Sequence, residues 1–195
     1  MKKKVALIIF VFCFFASSAY AASDAFKNNI YNPGELKPVD SVLKVKVGQE
    51  APDFTLRAVS GKKITLHDFR GRKNVVISFV PAAWTPVCSD QWPGYNIIQD
   101  VFASNDAVLL GITVDNIPTL FSWTNQMGKL WFDVLSDFWP HGAVAAKFGV
   151  LRSDGVAERA LFVIDKKGLI RYIDVHNINQ RPPLENLVRE LEKLK

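Results

Sequence analysis

Two continuous runs of apolar, mostly β-branched residues constrain the fold of this chain more than any other feature. They occupy residues 74–80 (NVVISFV) and 107–114 (AVLLGITV). Strands without polar alternation are typical of sheets that helices cover on both faces. The segment between them, SDQWPGYNIIQDVFASN, has helical patterning with a break at Pro93-Gly94, because proline removes a backbone donor. Strand, helix and strand in this order indicate an α/β protein.

The remaining segments continue this alternation. DFTLRAVSGKKITL alternates in polarity on both sides of Ser60-Gly61, which predicts an N-terminal β-hairpin. The other predicted elements are, in chain order, a helix in IPTLFSWTNQM, a strand or turn in WFDVLSD, a helix in PHGAVAAKFGV, two strands in RALFVID and LIRYIDV, and an amphipathic helix in PLENLVRELEKL. The sequence therefore predicts an α/β sandwich with a central mixed sheet flanked by helices.

The first 21 residues match a secretory signal peptide. MKKK is followed by about a dozen apolar residues and by Ala19 and Ala21, at positions −3 and −1 of a cleavage site after Ala21. An uncleaved membrane anchor is the less favoured alternative, because a transmembrane helix needs about 20 apolar residues. We therefore expect an exported protein, located in the bacterial periplasm.

Cleavage would change the composition of the chain. Removing 21 of the 195 residues leaves 174, which is enough for one domain with a core. The formal charge falls from +5 to +2, because the leader carries three lysines and no acids. Nothing in the remaining charge indicates a nucleic-acid partner. Residues 22–46 are polar with proline breaks and are expected to form a loosely ordered arm, which leaves residues 47–195 as the folded domain.

The mature protein is expected to contain a single cysteine. Cys13 lies within the predicted leader, so only Cys88 remains. Exported proteins normally use cysteines in disulfide pairs, and an intrachain pair is impossible here. A lone cysteine is a reactive thiol or an intermolecular partner, or else a small buried hydrophobe. All three alternatives stay open on this evidence alone.

The position of Cys88 is one that stabilises an anion. Thr85 is a good helix N-cap, and the following Pro86 suits the first helical position. Cys88 would then be the third helical residue, where backbone N–H groups lack acceptors and the helix dipole favours negative charge. The preceding strand also places the thiol at the carboxyl edge of the sheet, where open α/β folds bind ligands.

A helix terminus alone does not ionise a thiol. An ordinary cysteine with a pKa near 8.5 is only a few per cent thiolate at neutral pH. Lowering such a pKa to about 6 requires roughly 3.4 kcal/mol, whereas a helix N-terminus supplies about 0.3–1 kcal/mol. A nearby cation or extra hydrogen bonds must therefore provide the rest, and an arginine is expected close to the thiol.

The stretch that ends at Cys88 resembles a sequence pattern of a known family. PAAWTPVC, residues 81–88, fits the PxxxTxxC pattern of peroxiredoxins, the thiol peroxidases of the thioredoxin superfamily. VGQEAPDFTL is similar to the family's usual opening, and GITVD, FDVLSD and KFGVL follow in the expected order. RALFVIDKKGLIR resembles the segment that carries the family's arginine. The resemblance covers about residues 45–190 and implies a thioredoxin-like fold for the domain.

The resemblance implies roles for individual residues. Cys88 would attack a peroxide oxygen and become a sulfenic acid, while Arg159 would be the required cation. Thr85 would hydrogen-bond the thiolate or the peroxide, since a hydroxyl both donates and accepts. Pro81 would shield the thiolate from water, and the N–H groups of Val87 and Cys88 would hold the substrate oxygens.

Two positions depart from what many peroxiredoxins have. Trp84 replaces a phenylalanine and is expected to line the entrance to the site. Gln91 replaces a glutamate three residues after the cysteine. Its carbonyl oxygen can still orient Arg159, but a neutral amide leaves more free positive charge there.

Several of these residues also have purely structural interpretations. Thr85 would serve as a helix cap, Pro81 as a strand terminator, and Arg159 as half of a surface ion pair with Glu158. Only their joint spacing favours a site. The three histidines, His67, His141 and His176, lack metal-ligand spacing, so neither a metal nor another cofactor is expected.

The partners follow from the absence of a second cysteine downstream of Cys88. The sulfenic acid would be reduced by an external thiol, either a thioredoxin-like protein or a small thiol, or through an intermolecular disulfide, as in a one-cysteine enzyme. The resemblance also implies a possible homodimer.

Three rival functions were weighed against a peroxidase. A thioredoxin-like thiol-disulfide oxidoreductase needs Cys-x-x-Cys, but Thr85 occupies the position of the first sulfur. A copper-delivery protein of the same superfamily needs paired cysteines and a suitable histidine. A peroxide-sensing redox module stays open, because only turnover separates it from an enzyme. The sequence favours a thiol-dependent peroxidase acting on hydrogen peroxide or small organic hydroperoxides.

Overall fold

The structure is a computed structural model that describes residues 24–194. The predicted signal peptide and Cys13 lie outside these residues. Within them, no helix has both the length and the apolar character needed to cross a membrane.

A seven-stranded mixed sheet forms the centre of the molecule. Its strands are β1 (Thr55–Ala58), β2 (Lys63–Thr65), β3 (Asn74–Phe79), β4 (Ala107–Thr113), β5 (Asp133–Ser136), β6 (Arg159–Ile164) and β7 (Ile170–His176), arranged in the order β2-β1-β5-β4-β3-β6-β7. Strands β3, β4 and β5 are parallel, whereas β1–β2, β1–β5, β3–β6 and β6–β7 are antiparallel pairs. The predicted mixed sheet and N-terminal hairpin are confirmed.

Helices cover both faces of the sheet. They are α1 (Asp24–Asn28), α2 (Pro86–Gly94), α3 (Gln99–Ser104), α4 (Ile117–Met127), α5 (Ala143–Phe148) and α6 (Leu184–Glu192). A 3₁₀ turn over Tyr95–Ile98 separates α2 from α3, as the Pro93-Gly94 pair predicted. A second 3₁₀ turn covers Leu66–Phe69.

The continuous apolar runs form the centre of two hydrophobic clusters. Every residue of β3 is buried, and successive side chains of a strand point to opposite faces. Val75 and Ile77 belong to the cluster that contains Phe148 of α5, and Val76 belongs to the cluster that contains Trp92 and Trp123. The sheet is therefore buried on both faces, as the sequence predicted.

The segment before the domain is more closely attached than the predicted loose arm. It has little regular structure after α1, yet its backbone is hydrogen-bonded to the domain at several points. The N–H of Lys44 donates to Phe148 O (3.2 Å), and the N–H of Ile178 donates to Pro38 O (3.0 Å). The backbone of the arm passes so close to Gly149, which has φ +77°, that a Cβ there would overlap it. The sequence pattern alone does not predict these contacts, because the partners are distant in sequence. We refer below to residues 24–46 as the arm.

Candidate active site

The loop between β3 and α2 presents the start of a helix at the edge of the sheet. Thr85 is the N-cap of α2, with extended backbone (φ −109°, ψ 152°), and Pro86 is the first helical residue. Asp115, which is not part of this loop, holds it in place: its carboxylate accepts a hydrogen bond from the N–H of Ala83 (2.8 Å). The hydroxyl of Thr113 donates to the same carboxylate oxygen (2.7 Å). This places Cys88 in the first turn of α2, as predicted.

Trp84 adopts a backbone conformation that is unfavourable for a side chain of its size. Its φ is +61°, in the left-handed region, which costs about 1–2 kcal/mol for a residue other than glycine. The arm holds it in place: the N–H of Tyr31 donates to Trp84 O (2.7 Å), and the ring of Phe26 lies 5.8 Å from its indole. The strained residue immediately precedes Thr85, so the arm contributes to the geometry of the site.

The thiol of Cys88 contacts the guanidinium of Arg159. Nη2 of Arg159 lies 3.5 Å from Sγ, although the two residues are 71 positions apart. Cys88 is 0% exposed and Arg159, the first residue of β6, is 2% exposed. The structure therefore brings together the thiol and the cation that the sequence analysis required.

Two acceptors hold the guanidinium in one orientation. Nε and Nη2 of Arg159 both donate to the carbonyl oxygen of Ile178, at 3.1 and 2.9 Å. Nη1 donates to Oε1 of Gln91 at 2.6 Å. Gln91 thus orients Arg159 through its carbonyl oxygen, as proposed from the sequence.

A buried polar network holds the amide nitrogen of Gln91. Nε2 of Gln91 donates to the hydroxyl of Tyr95 (2.8 Å) and to Oγ of Ser78 (3.3 Å). Nε1 of Trp92 also donates to Oγ of Ser78 (3.3 Å). Burial raises the pKa of Tyr95, so its hydroxyl stays neutral. Ser78 and Tyr95 were not predicted as site residues; the signals in the sequence were a hydroxyl inside an apolar strand and a tyrosine four residues after Gln91.

The guanidinium of Arg159 has no carboxylate among its hydrogen-bond partners in the described part of the chain. The alternative of a surface ion pair with Glu158 is wrong, because Glu158 is fully buried and pairs with Arg152 at 2.8 Å. Of the groups that Arg159 contacts through hydrogen bonds, only Cys88 can carry a negative charge. A thiolate at Cys88 would therefore be the counter-charge of a buried cation.

A cavity of about 550 Å³ opens beside these groups. Its lining includes Pro81, Thr85, Val87 and Arg159 together with residues 31–36 of the arm. Cys88 lies behind this lining and does not reach it. The site residues Pro81, Thr85 and Val87 therefore lie between solvent and the region of the thiol.

Two expectations about this region need correction. Trp84 does not line the cavity, because its left-handed backbone directs the indole to Phe26 instead. The hydroxyl of Thr85 neither caps α2 nor contacts Sγ; it donates to Ala82 O at 2.9 Å. A role for Thr85 toward the thiolate or the peroxide thus requires rotation of its side chain.

Residues 24–194 contain no cluster of three or more His, Cys, Asp or Glu side chains with the geometry to hold a metal ion. Cys88 is also the one free cysteine of this described region.

Comparison with known families matches residues 47–173 to the AhpC/TSA family. This segment is more than half of the chain and includes Cys88, Gln91 and Arg159. The chain belongs to the AhpC/TSA family. Its members are peroxiredoxins, and the function of this chain is thiol-dependent reduction of peroxides.

Individual members of the AhpC/TSA family agree with this assignment. Alkyl hydroperoxide reductase E of Mycobacterium tuberculosis is 40% identical over 132 residues, which cover 67% of this chain and 86% of that protein. A chloroplastic 2-cysteine peroxiredoxin of Chattonella marina is 31% identical over 161 residues, covering 78% and 82%. None of these similarities favours a disulfide oxidoreductase or a sensor.

Solved structures confirm the thioredoxin-like fold. The reduced 2-Cys peroxiredoxin of Plasmodium vivax superposes with a TM-score of 0.72 at 27% identity, covering 76% of this chain and 81% of that one. AhpC of Mycobacterium tuberculosis gives a TM-score of 0.69 at 26% identity, covering 77% and 93%.

Proposed function

We propose that this peroxiredoxin reduces hydrogen peroxide or small organic hydroperoxides through Cys88. The observation that carries the proposal is the 3.5 Å contact between Cys88 Sγ and a buried guanidinium that has no carboxylate partner. Burying a cation without a counter-charge is costly, and a negatively charged sulfur at Cys88 would supply that counter-charge. The first turn of α2 favours the same anion.

The chemical step transfers one oxygen atom from the peroxide to sulfur. The thiolate attacks the terminal oxygen, an S–O bond forms as the O–O bond breaks, and Cys88 becomes a sulfenic acid. Negative charge develops on the departing oxygen, which takes up a proton and leaves as water or an alcohol. Arg159 is fixed through Ile178 and Gln91, so it is positioned to stabilise that charge without reorganising.

Regeneration consumes two equivalents of an external thiol. The first condenses with the sulfenic acid to give a mixed disulfide and water, and the second displaces it to restore the Cys88 thiol. We propose a one-cysteine enzyme with a thioredoxin-like protein or a small thiol as reductant. Because Cys88 is fully buried, the peroxide and the thiol each reach its sulfur only when the residues that cover it move.

Export to the periplasm and a homodimeric state are part of the same proposal. Export is supported by the pattern of residues 1–21, with Ala19 and Ala21 before the cleavage site. Mass spectrometry of the protein recovered from the periplasmic and membrane fractions tests it: a periplasmic chain beginning at Ala22 supports cleavage, and a full-length chain in the membrane contradicts it.

The central experiment measures the reaction of Cys88 with peroxide directly. In stopped-flow measurements of tryptophan fluorescence, the wild type is expected to react with hydrogen peroxide orders of magnitude faster than free cysteine. Cys88→Ser should show no transient. Arg159→Ala should react about 100-fold or more slowly, the usual cost of losing a fixed charge-stabilising donor. Arg171→Ala is the matched control, since Arg171 is exposed and pairs with Asp165. A wild-type rate as slow as that of free cysteine would contradict the proposal.

A further inference from the structure

Residues 31–36 of the arm form a wall of the cavity beside Arg159. This part of the chain precedes the segment that matches the AhpC/TSA family, residues 47–173. The cavity lining also includes Ile178 and Asn179, which follow that segment. The cavity is therefore completed by two parts of the chain outside the family match.

Asn179 attaches the arm to the domain. Its amide group pairs with the backbone of Leu36: Nδ2 donates to Leu36 O (2.7 Å) and Oδ1 accepts from Leu36 N–H (2.9 Å). The adjacent Ile178 donates its N–H to Pro38 O, while its carbonyl oxygen holds Arg159. At the other end of the wall, Tyr31 N–H donates to Trp84 O. The wall is thus fixed at both ends, and one of these ends also positions the guanidinium.

The cavity is much larger than hydrogen peroxide requires. Its volume is about 550 Å³, whereas a water molecule occupies about 30 Å³ in the liquid. Hydrogen peroxide, with two oxygen atoms, would leave most of this space filled with solvent. Volumes of about 300–1,000 Å³ are typical of sites for larger organic molecules.

The lining is suited to an uncharged, apolar group. Apolar side chains predominate on several sides of the cavity, among them those of Leu36, Val87, Val156 and Ile178. Glu35 and Asp154 also contribute, and two carboxylates disfavour an anionic ligand. Arg159 is the only cation among the lining residues, and its guanidinium lies against Cys88.

We infer that the arm is a specificity-determining element that selects hydroperoxides carrying an uncharged apolar substituent. This inference rests on the proposed reaction at Cys88. The O–O group lies against Arg159, and the substituent occupies the space between the arm and Val87. Leu36 contacts that substituent, and Asn179 is a positioning residue that acts by holding Leu36.

The test compares two peroxides on matched variants. Second-order rates of Cys88 oxidation are measured with cumene hydroperoxide and with hydrogen peroxide, and their ratio is the readout. Leu36→Ala is expected to lower the ratio about fivefold, because a truncated apolar wall binds the substituent less well. Leu43→Ala is the control: it makes the same change in the same arm at a residue that does not line the cavity, and the ratio should not change.

Asn179→Ala provides a second, independent variant. It is expected to lower the ratio to a similar extent and to increase amide hydrogen exchange in residues 31–38, because the arm is released. An unchanged ratio in both Leu36→Ala and Asn179→Ala would overturn the inference, even if wild-type Cys88 reacts rapidly with both peroxides. Slow wild-type reaction with both peroxides is a different result and would overturn the proposed reaction itself, together with the inference that rests on it.

Discussion

Gln91 orients the guanidinium of Arg159 without neutralising its positive charge. A carboxylate at this position would neutralise the guanidinium within the protein, whereas the amide only orients it. A thiolate at Cys88 would then be the group that balances this buried positive charge. The sequence already indicated this difference, because a glutamine in place of the usual glutamate is visible without coordinates. It did not indicate that Tyr95 and Ser78 would hold the amide, since their contacts depend on the packing of α2 against β3.

Replacing Gln91 with glutamate tests this balance. In Gln91→Glu, the new carboxylate competes with the thiolate for Arg159, so less of the thiol is ionised at neutral pH. We expect alkylation of Cys88 by iodoacetamide at pH 7 to slow about tenfold, which corresponds to roughly 1.4 kcal/mol. The profile of alkylation rate against pH should also move to higher pH.

Gln99→Glu is the control for this substitution, because Gln99 is exposed at the start of α3. It adds the same charge without a contact to Arg159 and should leave the alkylation profile in place. If Gln91→Glu and Gln99→Glu both gave the same alkylation profile as the wild type, the reactivity of Cys88 would not depend on an Arg159 charge left without a carboxylate partner.

Between elements, surface charges join the ends of strands that are distant in sequence. Asp106 precedes β4, and its carboxylate pairs with Lys166 after β6 (2.8 Å) and with Lys73 before β3 (2.7 Å). The ammonium groups of Lys166 and Lys73 hold the pKa of Asp106 at about 2, below its usual 3.8. The strands themselves were predictable from their apolar runs. These pairings were not, because they depend on which strands become neighbours in the sheet.

The depressed pKa of Asp106 predicts how stability changes with pH. A carboxyl with a lower pKa in the folded state stabilises the protein above pH 3.8, and this contribution is lost as the pH falls through about 2. Asp106→Asn should therefore lower the Tm by a few degrees at most at pH 7, because the group is exposed. Asparagine also tolerates the left-handed backbone of this residue (φ +53°).

Thermal melts at several pH values measure this effect. The difference in Tm between the wild type and Asp106→Asn should shrink below pH 4 and disappear near pH 2. It should also shrink in high salt, which screens exposed ion pairs. A difference that stayed constant from pH 7 to pH 2 would show that the charge of Asp106 is not responsible.

At the scale of the whole molecule, the arm is where prediction from sequence was weakest. Proline breaks and polar composition correctly indicated little regular structure. They gave no information on docking, because Asp40 contacts Glu158 across 118 residues and Leu36 contacts Asn179 across 143. The orientation of Trp84 was wrong for the same reason: its partners, Phe26 and Tyr31, belong to that docked segment. Local patterns predict elements, but not the long-range contacts that complete a cavity.

Glu158 connects the arm to the interior of the domain. Its side chain is fully buried; one carboxylate oxygen accepts from the N–H of Asp40 (2.6 Å) and the other pairs with Arg152 (2.8 Å). Arg152 is itself 5% exposed. Removing one partner of a buried ion pair leaves the other charge without compensation, which typically costs about 3–5 kcal/mol.

We therefore expect Glu158→Ala to lower the free energy of unfolding by about 3–5 kcal/mol, measured by urea denaturation. Glu185→Ala should leave it within about 0.5 kcal/mol, because Glu185 is exposed on α6. Loss of the Asp40 contact should also raise hydrogen exchange in residues 36–42, and this would distinguish a released arm from a general loss of stability. Equal urea midpoints for Glu158→Ala and the wild type would mean that the arm and Arg152 do not depend on this carboxylate. The arm would then be held chiefly by its bonds to Asn179, Ile178 and Trp84.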